Sequence, residues 1–153
     1  MCIRDRPKGG QNTIERLMAK YGYDREQVQA NRKVITERAA AVGMRMRMAE
    51  DNRSFNTFDA HRLLHWAGLQ GQASQTALKK RLLETYHYDN QDTADADVLA
   101  RAAADAGLDE AEAREVLASG RYADEVRKEE AEWRDRGITS VPSVILNLSL
   151  IHI

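Results

Sequence analysis

The sequence predicts a mainly α-helical fold, and three observations carry that expectation. Its 153 residues contain only nine Gly and two Pro, too few for a many-turned β fold. Apolar residues recur at i, i+3, i+4 and i+7 through most of the middle of the chain. Those runs open on Asn or Asp and stop at Gly, the chemistry of helix N-caps and C-caps.

The elements follow in order. Asn12 or Thr13 can cap a helix over Ile14–Tyr21 that stops at Gly22. Asp24 with Gln27 makes a capping-box pattern, after which Val28, Ile35, Ala39 and Val42 share one face before Gly43. Met44, Met46 and Met48 alternate with Arg45 and Arg47, the period of an extended segment. Asn56 with Asp59 repeats the cap pattern ahead of Ala60, Leu63, Leu64 and Ala67. Leu78, Leu82 and Tyr86 mark a helix ending near Asp89-Asn90. Asp95 opens an alanine-rich helix carrying Val98, Leu99, Ala102 and Ala106, closed by Gly107. Asp109 with Glu112 starts the next, which ends near Gly120. A last helix holds Tyr122, Val126 and Trp133 on one stripe and stops at Gly137. Ser143-Val144-Ile145-Leu146 then reads as one buried C-terminal strand, whose partners are expected outside the chain because a lone strand leaves its backbone unpaired.

Composition narrows the function classes. Charged residues are 31% of the chain and the AVILMFWYC set 42%, as in a globular domain. Lys and Arg number 23 against 24 Asp and Glu, a net charge of −1 with the signs intermixed, so no basic stripe is present to bind nucleic acid. No window approaches the roughly 18 uninterrupted apolar residues of a membrane helix. One cysteine, Cys2, excludes an internal disulfide framework and a cysteine zinc cluster.

The two ends stand apart. Met1–Arg6 can be encoded by ATG-TGT-ATA-AGA-GAC-AGR and Leu148–Ile153 by CTG-TCT-CTT-ATA-CAC-ATC. These strings are reverse complements over most of their length and resemble the transposon end used to fragment DNA for sequencing. The expectation is that residues 1–6 and 148–153 are translated adapter. Residues 7–137 are then a helical domain and 138–147 a proline loop and strand, from a native chain cut on both sides.

Few residues could carry chemistry. His61 and His65 have metal-ligand spacing on a helix, but Arg62 stands where a zincin motif needs Glu; Glu84 and His87 could add ligands only if their helix faces the first. No metal site is expected. The Met44/Met46/Met48 stripe reads as core filler rather than a binding groove. Lys79-Lys80-Arg81 reads as a solvated face, and Asp92, Asp95 and Asp97 as caps, since the glycine and distal Glu of a calcium loop are missing. Val141-Pro142, taken alone, is a trans proline opening a strand.

Taken together, Pro7-Lys8-Gly9-Gly10, Asn56-Thr57-Phe58-Asp59-Ala60-His61-Arg62-Leu63, and Glu125-Val126-Arg127 leading to Val141-Pro142-Ser143-Val144-Ile145 resemble the FrnE-like branch of the DsbA family of thioredoxin-fold oxidoreductases. The resemblance implies a helical domain inserted into an α/β thioredoxin fold. It also implies that Val141 and Pro142 form the cis-proline loop, which faces a redox-active Cys-x-x-Cys and pairs with substrate. Asn56, Thr57 and His61 would lie near that cleft. The Cys-x-x-Cys unit is not in the sequence, so the parent is expected to be a thiol-disulfide oxidoreductase acting on protein or small-molecule thiols and disulfides, and this chain to be inactive. No cofactor is implied. The resemblance leans towards a cytoplasmic location. Two alternatives stay open. One is a glutathione-dependent isomerase or transferase of the kappa-like, 2-hydroxychromene-2-carboxylate isomerase type, with serine in place of the dithiol. The other is a non-enzymatic helical interaction module.

Overall fold

A computed structural model describes residues 9–138, 143–146 and 149–151 of the chain. Among them lie helices α1 (Thr13–Tyr21), α2 (Arg25–Ala41), α3 (Phe58–Leu69), α4 (Gln72–His87), α5 (Ala96–Asp105), α6 (Glu110–Ser119) and α7 (Ala123–Asp135).

Most ends are set by the expected residues. Asn12 Oδ1 accepts from the Ile14 and Glu15 amides (2.9 and 3.1 Å), and Asp24 and Gln27 form the full capping box of α2. Asp95 and Asp109 cap α5 and α6 through the amides of Val98 (3.0 Å) and Glu112 (2.7 Å). Gly22 and Gly120 close α1 and α6 in the left-handed conformation. Asp92 accepts from the Ala94 amide, and Asp97 pairs with Arg114, so these aspartates are used locally.

Helices α3, α4, α5 and α6 enclose the main core. Leu63, Trp66, Leu78, Leu99 and Val116 are fully buried there, with Ala60, Ala67, Ala102, Ala103 and Ala113 letting the backbones approach. Gly68 of α3 leaves room for the Gln75 side chain of α4, whose Nε2 would lie 2.6 Å from a Cβ there and donates to the Leu64 carbonyl (3.0 Å). Trp66 keeps its one polar atom satisfied by donating to Glu112 (3.0 Å). Tyr122, Leu64, Ala106, Leu108 and Leu117 pack on the outside of this cluster.

The α1–α2 pair stands beside that core rather than in it. Ile14 and Val28 are buried, but Ile35 is 48% and Val42 81% exposed. The expected apolar face of α2 is therefore corrected: its buried residues are Val28, Arg32 and Ala39. Arg32 donates to the Ala49 carbonyl (2.7 Å), so a cation occupies part of the face that apolar spacing assigned to Ile35 and Val42. A two-residue ladder joins strand β1 (Gln11–Asn12) to β2 (Arg53–Ser54), antiparallel, with Gln11 opposite Ser54. Arg53 ties it down by donating to the carbonyls of Gly9 (2.6 Å) and Gly10 (2.8 Å). Gly10 has φ +70°, and a Cβ there would sit 2.7 Å from the Phe55 ring, so only glycine fits.

Three further expectations change. Residues 44–48 do alternate, with the methionines half-buried and Arg45 and Arg47 exposed, but no methionine reaches the core. Trp133 is exposed, and Tyr122 precedes α7 in the left-handed region (φ 62°), so only Val126 of that stripe is buried. The strand β3 (Val144–Leu146) finds its partner inside the chain, pairing antiparallel with β4 (Ser149–Ile151), Val144 opposite Ile151. Only two residues separate the strands, a hairpin length, and β4 lies within the 148–153 segment that reads as adapter.

Candidate functional site

The N-terminal end of α3 gathers three of the five residues expected at the site. Thr57 precedes the helix without a side-chain cap bond. Asn56 Oδ1 instead accepts from the Phe58 amide (2.9 Å), a local turn. The expected Asn56/Asp59 capping pair does not form. Asp59 is a methylene shorter than the Glu or Gln of a capping box, and its carboxylate is held by Arg62 (2.7 Å) one turn along. His61 follows, its backbone amide donating to Thr57 O (3.0 Å). Its Nε2 is buried with no hydrogen-bond partner among the described residues. Burial, aided by the Lys79 charge, pushes the imidazole pKa down to about 4. At neutral pH His61 is thus an uncharged, half-buried ring whose Nε2 faces the interior. Val141 and Pro142 lie outside the described residues.

Arg62 braces this end of α3. Its side chain is 4% exposed. Nε donates to Arg121 O (2.8 Å), while the remaining nitrogens reach Asp59, Leu117 O (3.4 Å) and Val116 O. Val116 and Leu117 belong to the last turn of α6, whose carbonyls lack helical partners, so a guanidinium there both satisfies them and complements the helix dipole. Its planar fork suits several acceptors at once. Phe58 carries the Arg127 guanidinium over its ring at 4.4 Å, and His65 Nδ1 lies 3.4 Å from Glu129, so the same face of α3 also holds α7.

The metal candidates stay apart. His65 turns to Glu129 and the Tyr122 ring (5.2 Å), Glu84 to Arg81 (3.7 Å), and His87 stacks edge-on against Tyr86 (4.7 Å), with its pKa lowered by burial. Among the described residues no three His, Cys, Asp or Glu side chains converge on one point. Arg81 is not merely solvated as expected: it bridges Asp89 and Asp105, each at 2.9 Å, across α4, α5 and the turn between them. Lys79 and Lys80 are left as the solvent-facing part of that trio.

Two residues matter here in ways the sequence does not show: Arg62, which stands there only in place of a metal-motif Glu, and Asn52. Arg62 sits one position before Leu63 on an apolar helix, and an arginine bracketed by buried neighbours was the available signal. Asn52 gave none, since its partners are about 40 residues away on either side: Thr13 Oγ1 (3.1 Å) and Asn90 Oδ1 (2.6 Å).

The described residues thus form a helix-rich unit in which Arg62 ties the start of α3 to the end of α6, with His61 beside it. The chain belongs to the DsbA-like thioredoxin domain family, which it matches over residues 4–152. It is similar to the crystal structure of a probable DsbA oxidoreductase from Streptomyces coelicolor, with 39% identity and a TM-score of 0.79. The overlap covers 87% of this chain and 56% of that one, so the chain spans little more than half that protein's length. A search of curated proteins returns no match. No helix among the described residues is long and apolar enough to cross a membrane.

Proposed function

We propose that the chain is the helical part of a thiol-disulfide oxidoreductase of the FrnE-like branch, and that these 153 residues are inactive by themselves. The observation carrying this reading is the family match over residues 4–152, joined to 39% identity with the Streptomyces oxidoreductase. Disulfide exchange needs a thiolate that attacks a disulfide sulfur and a second thiol that resolves the mixed disulfide. A single cysteine cannot supply both.

In this reading the dithiol of the whole protein is encoded upstream of Pro7. Val141 and Pro142 form the cis-proline loop facing it and pair with the substrate backbone. Asn56, Thr57 and His61 flank the cleft. Arg62 is a positioning residue, fixing α3 against α6 and the start of α7. Protein or small-molecule thiols and disulfides are the substrates, no resident cofactor is needed, and the protein works in the cytoplasm.

Two measurements test this. The coding DNA upstream of Pro7 should encode a strand followed by Cys-x-x-Cys; serine in that place would shift the reading to the glutathione-dependent enzymes. The purified chain should leave insulin unreduced in the presence of dithiothreitol beyond the uncatalysed rate, and turnover above that background would overturn its assigned inactivity.

A further inference from the structure

The main apolar cluster contains residues of α3 to α6, with Tyr122, and nothing from α1 or α2. Among the described residues, α1 and α2 pack chiefly on one another. The joint to the rest is mainly polar and gathers at Asn52, with the Arg45 guanidinium over the Tyr88 ring (4.2 Å) beside it. Asn52 is 7% exposed. Its amide donates to Asn90 Oδ1 (2.6 Å), in the turn after α4. Its Oδ1 accepts from Tyr86 OH of α4 (3.2 Å), while on its own side of the joint Asn52 holds Thr13 at the start of α1 through that Oδ1 (3.1 Å) and its backbone carbonyl (2.9 Å). One more backbone bond, from Arg47 N to His87 O (2.7 Å), crosses the same seam.

We propose that residues 11–54 form an arm that opens from the α3–α6 body as a unit, with Asn52 as its latch. The asymmetry of the joint supports it. Opening the arm exposes little of the main apolar core, so its cost is set by a few hydrogen bonds, each of modest net worth once water can replace the partner. Unfolding the body exposes Trp66, Leu63, Leu78, Leu99 and Val116 together. Cooperative units of unequal stability are the consequence of such a division. Asn90 suits the latch: it holds φ 56°, a conformation asparagine tolerates, which turns its side chain back to Asn52.

Hydrogen exchange on the 153-residue chain, followed by mass spectrometry at peptide resolution, tests the arm. Amides within α1 and α2 should exchange together and at least about tenfold faster than those buried in α3–α6. Asn52→Ala should speed α1 and α2 by a further factor of about ten while leaving α3–α6 unchanged, about the effect of losing one to two hydrogen bonds. Equal protection across both regions in the wild-type chain would overturn the proposal. So would an Asn52→Ala variant in which both regions accelerate alike. Should that variant fail to fold, Tyr86→Phe removes one latch bond with the ring retained, and it must speed the arm alone for the proposal to stand.

Discussion

The α3–α6 body and the α1–α2 arm are both helical, and side chains cap α1 and α2 in the arm and α5 and α6 in the body, yet the two regions are held together differently. In the body five large apolar side chains meet at one centre, and Arg62 is spent on carbonyls that the helices leave open. In the arm Ile14 and Val28 are buried, while Val34, Ile35, Val42, Tyr21 and Tyr23 face solvent. Capping decides where a helix begins; burial decides how firmly it stays. Helices of similar local quality therefore differ in stability according to the apolar surface they share.

The largest expected effect breaks the body. Trp66 is fully buried, and Trp66→Ala should cost about 3–5 kcal/mol, because a large cavity opens and Glu112 loses its donor. Val28→Ala in the arm should cost about 1–2 kcal/mol, from fewer methylenes lost. Chemical denaturation followed by far-ultraviolet circular dichroism checks both; similar losses for the two would contradict the contrast.

Next in size is Arg62. Arg62→Met keeps the aliphatic stem but leaves the Val116 and Arg121 carbonyls without donors, at an expected cost of about 2–4 kcal/mol. Arg62→Lys should recover less than half of this, since one ammonium cannot span the same set of acceptors. Full recovery by lysine would show that charge, rather than the fork, braces α3.

Arg62 and Asn52 mark how much of the molecule is legible in the sequence. The helices were, because caps such as Asp24/Gln27 and Asp109 and stops such as Gly22 and Gly120 act within a few residues of where they are written. The methionine alternation was legible for the same reason. Burial was less so: spacing placed Ile35 and Val42 on a face but could not say whether anything covers it. Tyr122 read as helical because periodicity does not reveal a positive φ. At the candidate site, Asn56, Thr57 and His61 were found through one contiguous block. Arg62 was visible there only as a residue spoiling a metal motif, and Asn52 depends on partners from three distant segments. The pairing of Val144–Leu146 with Ser149–Ile151 is not legible in Ser143–Leu146 alone, because an apolar strand does not name its partner and the partner lies in a segment that reads as adapter.

Acid should weaken chiefly the body and so narrow the difference between the regions. Unfolded His61 takes its proton near pH 6.5, whereas folded His61 does so only near pH 4, because burial disfavours the charged ring. Its contribution is therefore fully present above pH 6.5 and lost as pH falls from there towards 4, reaching a loss of about 3 kcal/mol. His87, at the seam with the arm, is shifted in the same direction by burial. His61→Gln should flatten most of this acid limb in a series of denaturation curves from pH 7 to 4. An unchanged pH profile in that variant would mean that His61 is readily protonated in the folded chain.

The smallest expected effect is the most discriminating, since it asks the same change of both regions. Asn12 and Asp95 each cap a helix by accepting two backbone amides, and each replacement by alanine should remove about 1 kcal/mol of local stability. In the body, α5 supplies the buried Leu99, so the Asp95→Ala loss should appear in global unfolding as a lower denaturation midpoint. In the arm, the Asn12→Ala loss should appear mainly as faster exchange of α1 and α2 amides, with a smaller shift of the global midpoint. The physical reason is that a transition senses a local loss only to the extent that the affected helix is folded up to the point where the core gives way. Equal midpoint shifts for the two variants would mean that arm and body unfold as one, and that the Asn52 seam couples them more tightly than its few hydrogen bonds indicate.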